Sequence, residues 1–220
     1  MAQTYTKNYN ADTFSELVSD LQSAYEWHEV QIAEDGSSAV FYVTENISVK
    51  LSLINTSLQF QIIKNGSSIT KQSTNWFLTK TVKTNKAFCF TIVANNSSEN
   101  ILPTGYLNYI IIGTAVNQLT GTEETALAYV NQYSTSNISG YILSSDNLTE
   151  TVSTTNISTV INNLAARVTS IQNVFSKYSE CIMKDVYVLS ALQFPSLSFN
   201  DCTLNNKKYY MNGAILLADD

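Results

Sequence analysis

The chain has 220 residues and a hydrophobic fraction of 44%, enough for one large β domain or two small ones and too apolar for wholesale disorder. Only 14% of residues are charged, against about 25% in ordinary soluble domains, the net charge is −6, and Arg167 is the only arginine. With its lysines scattered, such a chain is a poor candidate for nucleic acid or for an anionic membrane surface, both of which need clustered basic groups.

The opening residues are polar. They suggest no signal peptide, and no apolar run is long enough to span a bilayer as a helix. Phe14, Leu17, Val18, Leu21 and Ala24 follow helical spacing, which predicts a helix over Ala11–Ala24 with Thr13 and Glu16 as its capping box. Asp12, Glu16 and Asp20 fall on the opposite face and read as a solvated face rather than a carboxylate metal site. From Trp27 onward the period changes to two. Val30–Ile32, Ala39–Val43, Ile47–Ile54 and Leu58–Ile63 read as strands, and Asn65-Gly66 as a hairpin turn before Ile69. Phe88–Val93, Leu107–Ile112 and Ala126–Val130 read as further strands, at a spacing that suits a sandwich or barrel-like pair of sheets.

Residues 134–158 are rich in Ser, Thr and Asn and read as a polar excursion or linker between a segment 1–133 and a segment 159–220. Ile157, Ile161, Leu164, Val168, Ile171, Phe175 and Tyr178 then form a heptad stripe. As a helix it would be a candidate oligomerisation stem, but its β-branched residues and asparagines suit a sheet equally well. Asp185–Leu192 reads as a strand, and residues 199–217 as a three-stranded meander with turns at Asn205-Asn206 and Asn212-Gly213. The fold class expected is mainly β: a sandwich-like domain preceded by an α-helix, with a second helix possible near 157–178 and a C-terminal meander.

Chemistry has little to work with. His28 is the only histidine and no nucleophile motif accompanies it. Cys89, Cys181 and Cys202 are far apart without a C-x-x-C spacing and read as reduced thiols, mostly core. Glu123-Glu124 and Asp219-Asp220 are adjacent pairs, whose side chains in a strand point to opposite faces. Neither a glycine-rich phosphate loop nor a metal-ligand pattern occurs, so no enzyme activity, metal or cofactor is expected. Most aromatics read as core, while Trp27 and Trp76 are candidates for a glycan or partner surface.

The runs Asp185–Leu189, Asn205–Tyr210 and Gly213–Asp220 together resemble the endings of structural proteins of tailed bacteriophages, which close with a strand, a short hairpin and a final strand ending in Asp. Asn206 stands where that hairpin usually has glycine. The helix followed by a polar β domain is similar to their layout as well. The resemblance covers the last forty or so residues by pattern, and implies a virion component of the tail, neck or head surface. It would be homo-oligomeric, with copies of itself and other virion proteins as partners. Ile157, Ile161, Leu164, Val168, Ile171, Phe175, Phe199, Tyr209 and Tyr210 are the candidate interface residues. A carbohydrate-binding or adhesin-like β module is the alternative expectation. An enzyme acting on glycans ranks last, because it needs facing carboxylates in a cleft.

Overall fold

Alternating and continuous apolar runs segregate to different layers of this protein. A computed structural model describes residues 2–74, 77–94, 106–117, 120–132, 138–144, 149–153, 168–170, 181–189, 200–204 and 206–219. In chain order the first part comprises β1 (Gln3–Tyr9), a 3-10 turn (Ala11–Thr13), α1 (Phe14–Ala24), β2 (Glu29–Ile32), β3 (Ser38–Thr44), β4 (Ile47–Ile54), β5 (Ser57–Lys64) and β6 (Ser67–Thr74). There follow β7 (Phe77–Lys83), β8 (Ala87–Ala94), β9 (Tyr106–Asn117), β10 (Glu123–Gln132), β11 (Ile138–Ser144) and β12 (Thr149–Ser153). The last part has β13 (Val168–Ser170), β14 (Cys181–Met183), β15 (Val186–Leu189), β16 (Asp201–Leu204), β17 (Lys207–Asn212) and β18 (Ile215–Ala218). The chain is mainly β, with three antiparallel sheets and α1 as the one α-helix among the described residues.

The central sheet has the order β1-β7-β8-β9-β10-β11-β12, and β14 pairs with β9 beyond the end of β8. Its middle strands are apolar on both faces. Phe88, Phe90, Ile110, Ile112, Leu127 and Tyr129 point to one side, where β2–β6 and α1 cover them. Cys89, Tyr109, Ile111, Ala126, Ala128 and Val130 point to the other, against Val186, Ile215 and Leu217 of the C-terminal sheet. Burial on both faces is why Tyr109–Ile112 reads as a continuous run rather than an alternation. The result is a three-layered sandwich.

Within the meander β2-β3-β4-β5-β6, strands β3 and β5 alternate strictly: in β3, Ala39, Phe41 and Val43 are buried while Ser38, Val40 and Tyr42 are half-exposed. Its β5–β6 hairpin turns at Asn65 (φ 50°) and Gly66 (φ 75°), two left-handed residues in a row as a type I′ turn requires. α1 has 11 residues, too short to persist alone. Buried Phe14, Leu17, Val18 and Leu21 hold it to the core, at about 1.5–3 kcal/mol for each large side chain. The expected Thr13–Glu16 capping box is not the one formed. Asn10 and Thr13 cap reciprocally instead, because a 3-10 turn over Ala11–Thr13 precedes α1 and puts the cap three residues earlier.

The C-terminal sheet has the order β13-β15-β18-β17-β16 and contains the expected hairpins. Asn206 adopts φ 61°, so the asparagine takes the left-handed role of the missing glycine. At the second turn the centre is Gly213-Ala214, not Asn212-Gly213: Asn212 is the last residue of β17 and pairs with Ile215. Its buried amide donates to the Lys80 (2.7 Å) and Cys89 (3.1 Å) carbonyls and accepts from the Thr91 hydroxyl, tying the meander to the central sheet.

Two other expectations need correction. Residues 138–144 and 149–153, inside the stretch read as a polar excursion, are β11 and β12 of the central sheet. Tyr141, Ile142 and Leu143 supply enough apolar surface for that despite the polar flanks. The heptad stripe lies outside the described residues except at Val168–Ser170, which is a strand paired with β15. A continuous helix through Val168 is thereby overturned, in keeping with its β-branched Val168 and Thr169.

Candidate functional site

The described surface is indented where α1 ends against the turn joining β7 to β8. Lys83 closes β7, and Thr84 builds the turn. Its backbone N–H donates to the Ala87 carbonyl at 2.9 Å, while its hydroxyl oxygen accepts from the backbone N–H of Lys86 (3.2 Å) and Ala87 (3.1 Å). Asn85 N–H donates to the Asp219 carboxylate at 3.4 Å. The turn is therefore held from both sides, and Lys86 projects from a fixed base.

Two clefts flank this point. One, of about 330 Å³, is lined by Tyr25, Glu26, Lys83, Lys86, Thr114 and Thr125, with Ile112 and Gly113 among its apolar residues. The other, of about 340 Å³, is lined by Gln3, Tyr5, Asp20, Ser23, Thr81, Lys83 and Phe88. Lys83 belongs to both. Between them Tyr25 stacks on Phe88 with ring centroids 5.1 Å apart, and the Lys83 ammonium lies 6.0 Å from the Tyr25 ring centre. Burial, and to a smaller extent the Glu26 carboxylate, push the Tyr25 phenol above its usual range, so it stays neutral and able to donate.

Charge in the two clefts is arranged unequally. Asp20 is spoken for: it accepts from the Tyr9 hydroxyl at 2.7 Å, the Tyr5 hydroxyl at 3.0 Å and the Lys7 ammonium at 3.0 Å. Lys7 also reaches Glu16 at 2.8 Å. The Tyr9 hydrogen bond, followed by Lys7 and Tyr5, holds the Asp20 carboxyl below the usual carboxylate range. The helix face read as merely solvated thus clasps β1. Lys83 and Lys86, by contrast, have no ion pair or side-chain hydrogen bond among the described residues.

The residues singled out from sequence are dispersed. Trp27 is half-buried, its indole N–H donating to the Leu21 carbonyl at 2.8 Å and its ring 4.9 Å from that of Phe41. That bonding anchors the chain after α1, so the indole offers no free platform for a sugar. Tyr209 and Tyr210 are neighbours on one strand and face opposite ways: Tyr209 is buried edge-on to Tyr187, while Tyr210 packs toward the central sheet beneath Lys208. They do not form one patch. Val168 begins β13, and Ile157, Ile161, Leu164, Ile171, Phe175, Phe199 and Trp76 lie outside the described residues.

His28 is exposed, and its backbone N–H donates to the Tyr42 carbonyl at 2.9 Å. Cys89 is a buried free thiol, pushed up by burial, and Cys202 is a half-buried one. Lys80, fully buried beside Cys89, is pushed down to about 8 by desolvation. Among the described residues no group of three His, Cys, Asp or Glu side chains is placed to hold a metal, and no helix is long and apolar enough to cross a membrane. The clefts themselves were missed in the sequence. The one available signal was the Lys-Thr-Asn-Lys spacing, which puts Lys83 and Lys86 on either side of a tight turn. No family model, no curated protein and no solved structure matches this chain.

Proposed function

We propose that this protein is an assembly subunit: a bacteriophage virion structural protein that works by packing against copies of itself and neighbouring particle proteins. The observation that supports this reading is the number and character of open sheet edges. None of the three sheets closes on itself, so β1, β12, β2, β6, β13 and β16 each keep an edge with no described strand paired to it. β6 is the most telling. It has eight residues, mostly exposed, with Lys71 as its only charge and Ile69 38% exposed. Monomeric proteins usually protect such an edge with charge, proline or a very short strand. Here protection is limited to Lys71 and to a bulge at Ile69, which the register skips between Ser68 and Thr70 next to the hairpin. An exposed polar edge of that length suits strand addition by a neighbour, in which main-chain hydrogen bonds supply affinity. The resemblance of the C-terminal strands to virion proteins points the same way.

Light scattering after size exclusion tests it. The wild-type chain should elute as a defined oligomer, and Ile69→Lys should elute as a monomer with an unchanged circular dichroism spectrum. A wild-type monomer across the accessible concentration range would remove self-assembly. An unaltered oligomer for Ile69→Lys would remove β6 as the contact.

A further inference from the structure

We infer that the paired clefts around Lys83 form one binding site for an acidic saccharide, a hydroxyl-rich sugar carrying a single carboxylate. In a chain of net charge −6, two ammonium groups that line one indentation and have no ion pair among the described residues are an exception to the surrounding field. Lys83 is half-buried at the junction of both clefts, where removal from bulk water strengthens its attraction for an anion. Lys86 is exposed three residues away on the fixed turn, so both charges converge on the same space.

The remaining lining argues for sugar rather than phosphate. α1 ends at Ala24, and its C-terminal residues Ser23 and Ala24 line the second cleft. The negative end of the helix and the Glu26 carboxylate both disfavour a multiply charged anion there. Among the described residues no arginine and no helix N-terminus borders the clefts. Glu26, Asn85, Thr114 and Thr125 instead present acceptors and donors suited to sugar hydroxyls. The half-buried Tyr25 ring supplies the apolar wall that a sugar's C–H face requires. Each cleft lies at the small end of the range of ligand pockets, so two cleft-sized units bridged at Lys83 suit a short oligomer better than one large molecule. The site needs little reorganisation, because the turn is hydrogen-bonded in place and Lys83 ends a paired strand.

Titration calorimetry of the full chain with aldotriouronic acid (a trisaccharide with one uronate), sialyllactose, neutral galactotriose and inorganic phosphate tests the assignment. At least one of the two acidic sugars should bind, with galactotriose weaker by about tenfold or more. Lys83→Gln and Lys86→Gln should each weaken binding by about tenfold while leaving the thermal midpoint unchanged. Thr125→Val, which removes an exposed hydroxyl from the same cleft, should weaken the sugar and leave phosphate unaffected. Failure of both acidic sugars to bind, equal binding of galactotriose, or phosphate competing at equal concentration would each overturn the proposal. So would a Lys83→Gln chain that binds as the wild type does. The monomeric Ile69→Lys variant should bind as well as the wild type, since Ile69 lies on a different sheet from the clefts.

Discussion

Tyr109 and Gly213 meet where the C-terminal hairpin crosses the central sheet, and the space for one is set by the other. The Tyr109 hydroxyl donates to Gln132 at 3.0 Å and accepts from the Ala214 N–H at 3.1 Å. Burial pushes its phenol well up, so it remains protonated and keeps both roles at any pH at which the protein is folded. A Cβ on Gly213 would lie 2.3 Å from that oxygen, and φ at this position is +56°. Gly213→Ala therefore meets a clash with a buried group in addition to about 1 kcal/mol of left-handed backbone cost. Tyr109→Phe should cost about 1–3 kcal/mol by leaving the Ala214 N–H and the Gln132 carbonyl oxygen without their partner. Combining the two removes the nearest clashing atom, so the double variant should be less destabilised than the sum, by about 0.5–3 kcal/mol in urea unfolding. Additive costs would show that the two residues do not share one contact.

At the scale of elements, β1 shows how a strand can be held without a hydrophobic face. Of its seven residues only Tyr9 is buried, yet all seven pair with β7. The side-chain contribution comes from Asp20 on α1, which gathers the Tyr9, Tyr5 and Lys7 groups of the strand. Because this carboxyl is depressed in the folded state, the native protein binds fewer protons than the unfolded chain just below the ordinary carboxylate value of about 3.9. The clasp's contribution is thus complete above that value and is lost as pH falls through the lower native one. With the Asp20 side chain 39% exposed, solvent screening limits it to about 1 kcal/mol or less. Asp20→Asn should lower β1 amide protection at pH 6 and flatten its dependence on pH between about 5 and 2, as read by hydrogen exchange. An equally steep acid dependence in Asp20→Asn would assign the transition to other carboxylates. The same strand explains what the sequence concealed. Strands with one wet face, such as β3 and β5, announce themselves by alternation. β1 and β6 are edge strands with almost no buried side chains, so their polar letters carry no period. β7 fails for the opposite reason: Thr79 and Lys80 are buried in it, and polar residues in an interior strand read as a loop.

For the whole molecule, the central sheet is stable only while both faces are covered, and the two covers come from opposite ends of the chain. α1 and β2–β6 lie on one side, and the hairpin β17–β18 with β15 on the other. That long-range closure was visible in the sequence only as unbroken apolar runs at Tyr109–Ile112 and Ala126–Val130. Nothing in those runs says which segment lies on which face, because period-two patterning disappears once both sides are dry. The Lys83 clefts were hidden for the same reason, since Tyr25, Lys83 and Thr125 come together only after the central sheet and α1 are in place. A chain ending at Asn212 tests the closure. It keeps every strand of the central sheet but loses Ile215 and Leu217, which are fully buried against Cys89, Ile111 and Ala128. Two such side chains alone represent about 3–6 kcal/mol of burial, comparable with the whole stability of a domain of this kind. The truncated chain should bind the dye ANS and lose its cooperative urea transition, including the part reported by exchange at β9 and β10, whose residues all remain in the chain. If β9 and β10 keep native protection without β18, the N-terminal layers are a self-sufficient unit and the C-terminal sheet is an appendage. Simultaneous loss would show that the three layers fold as one, so that a partner bound at either outer sheet acts on the stability of the whole subunit.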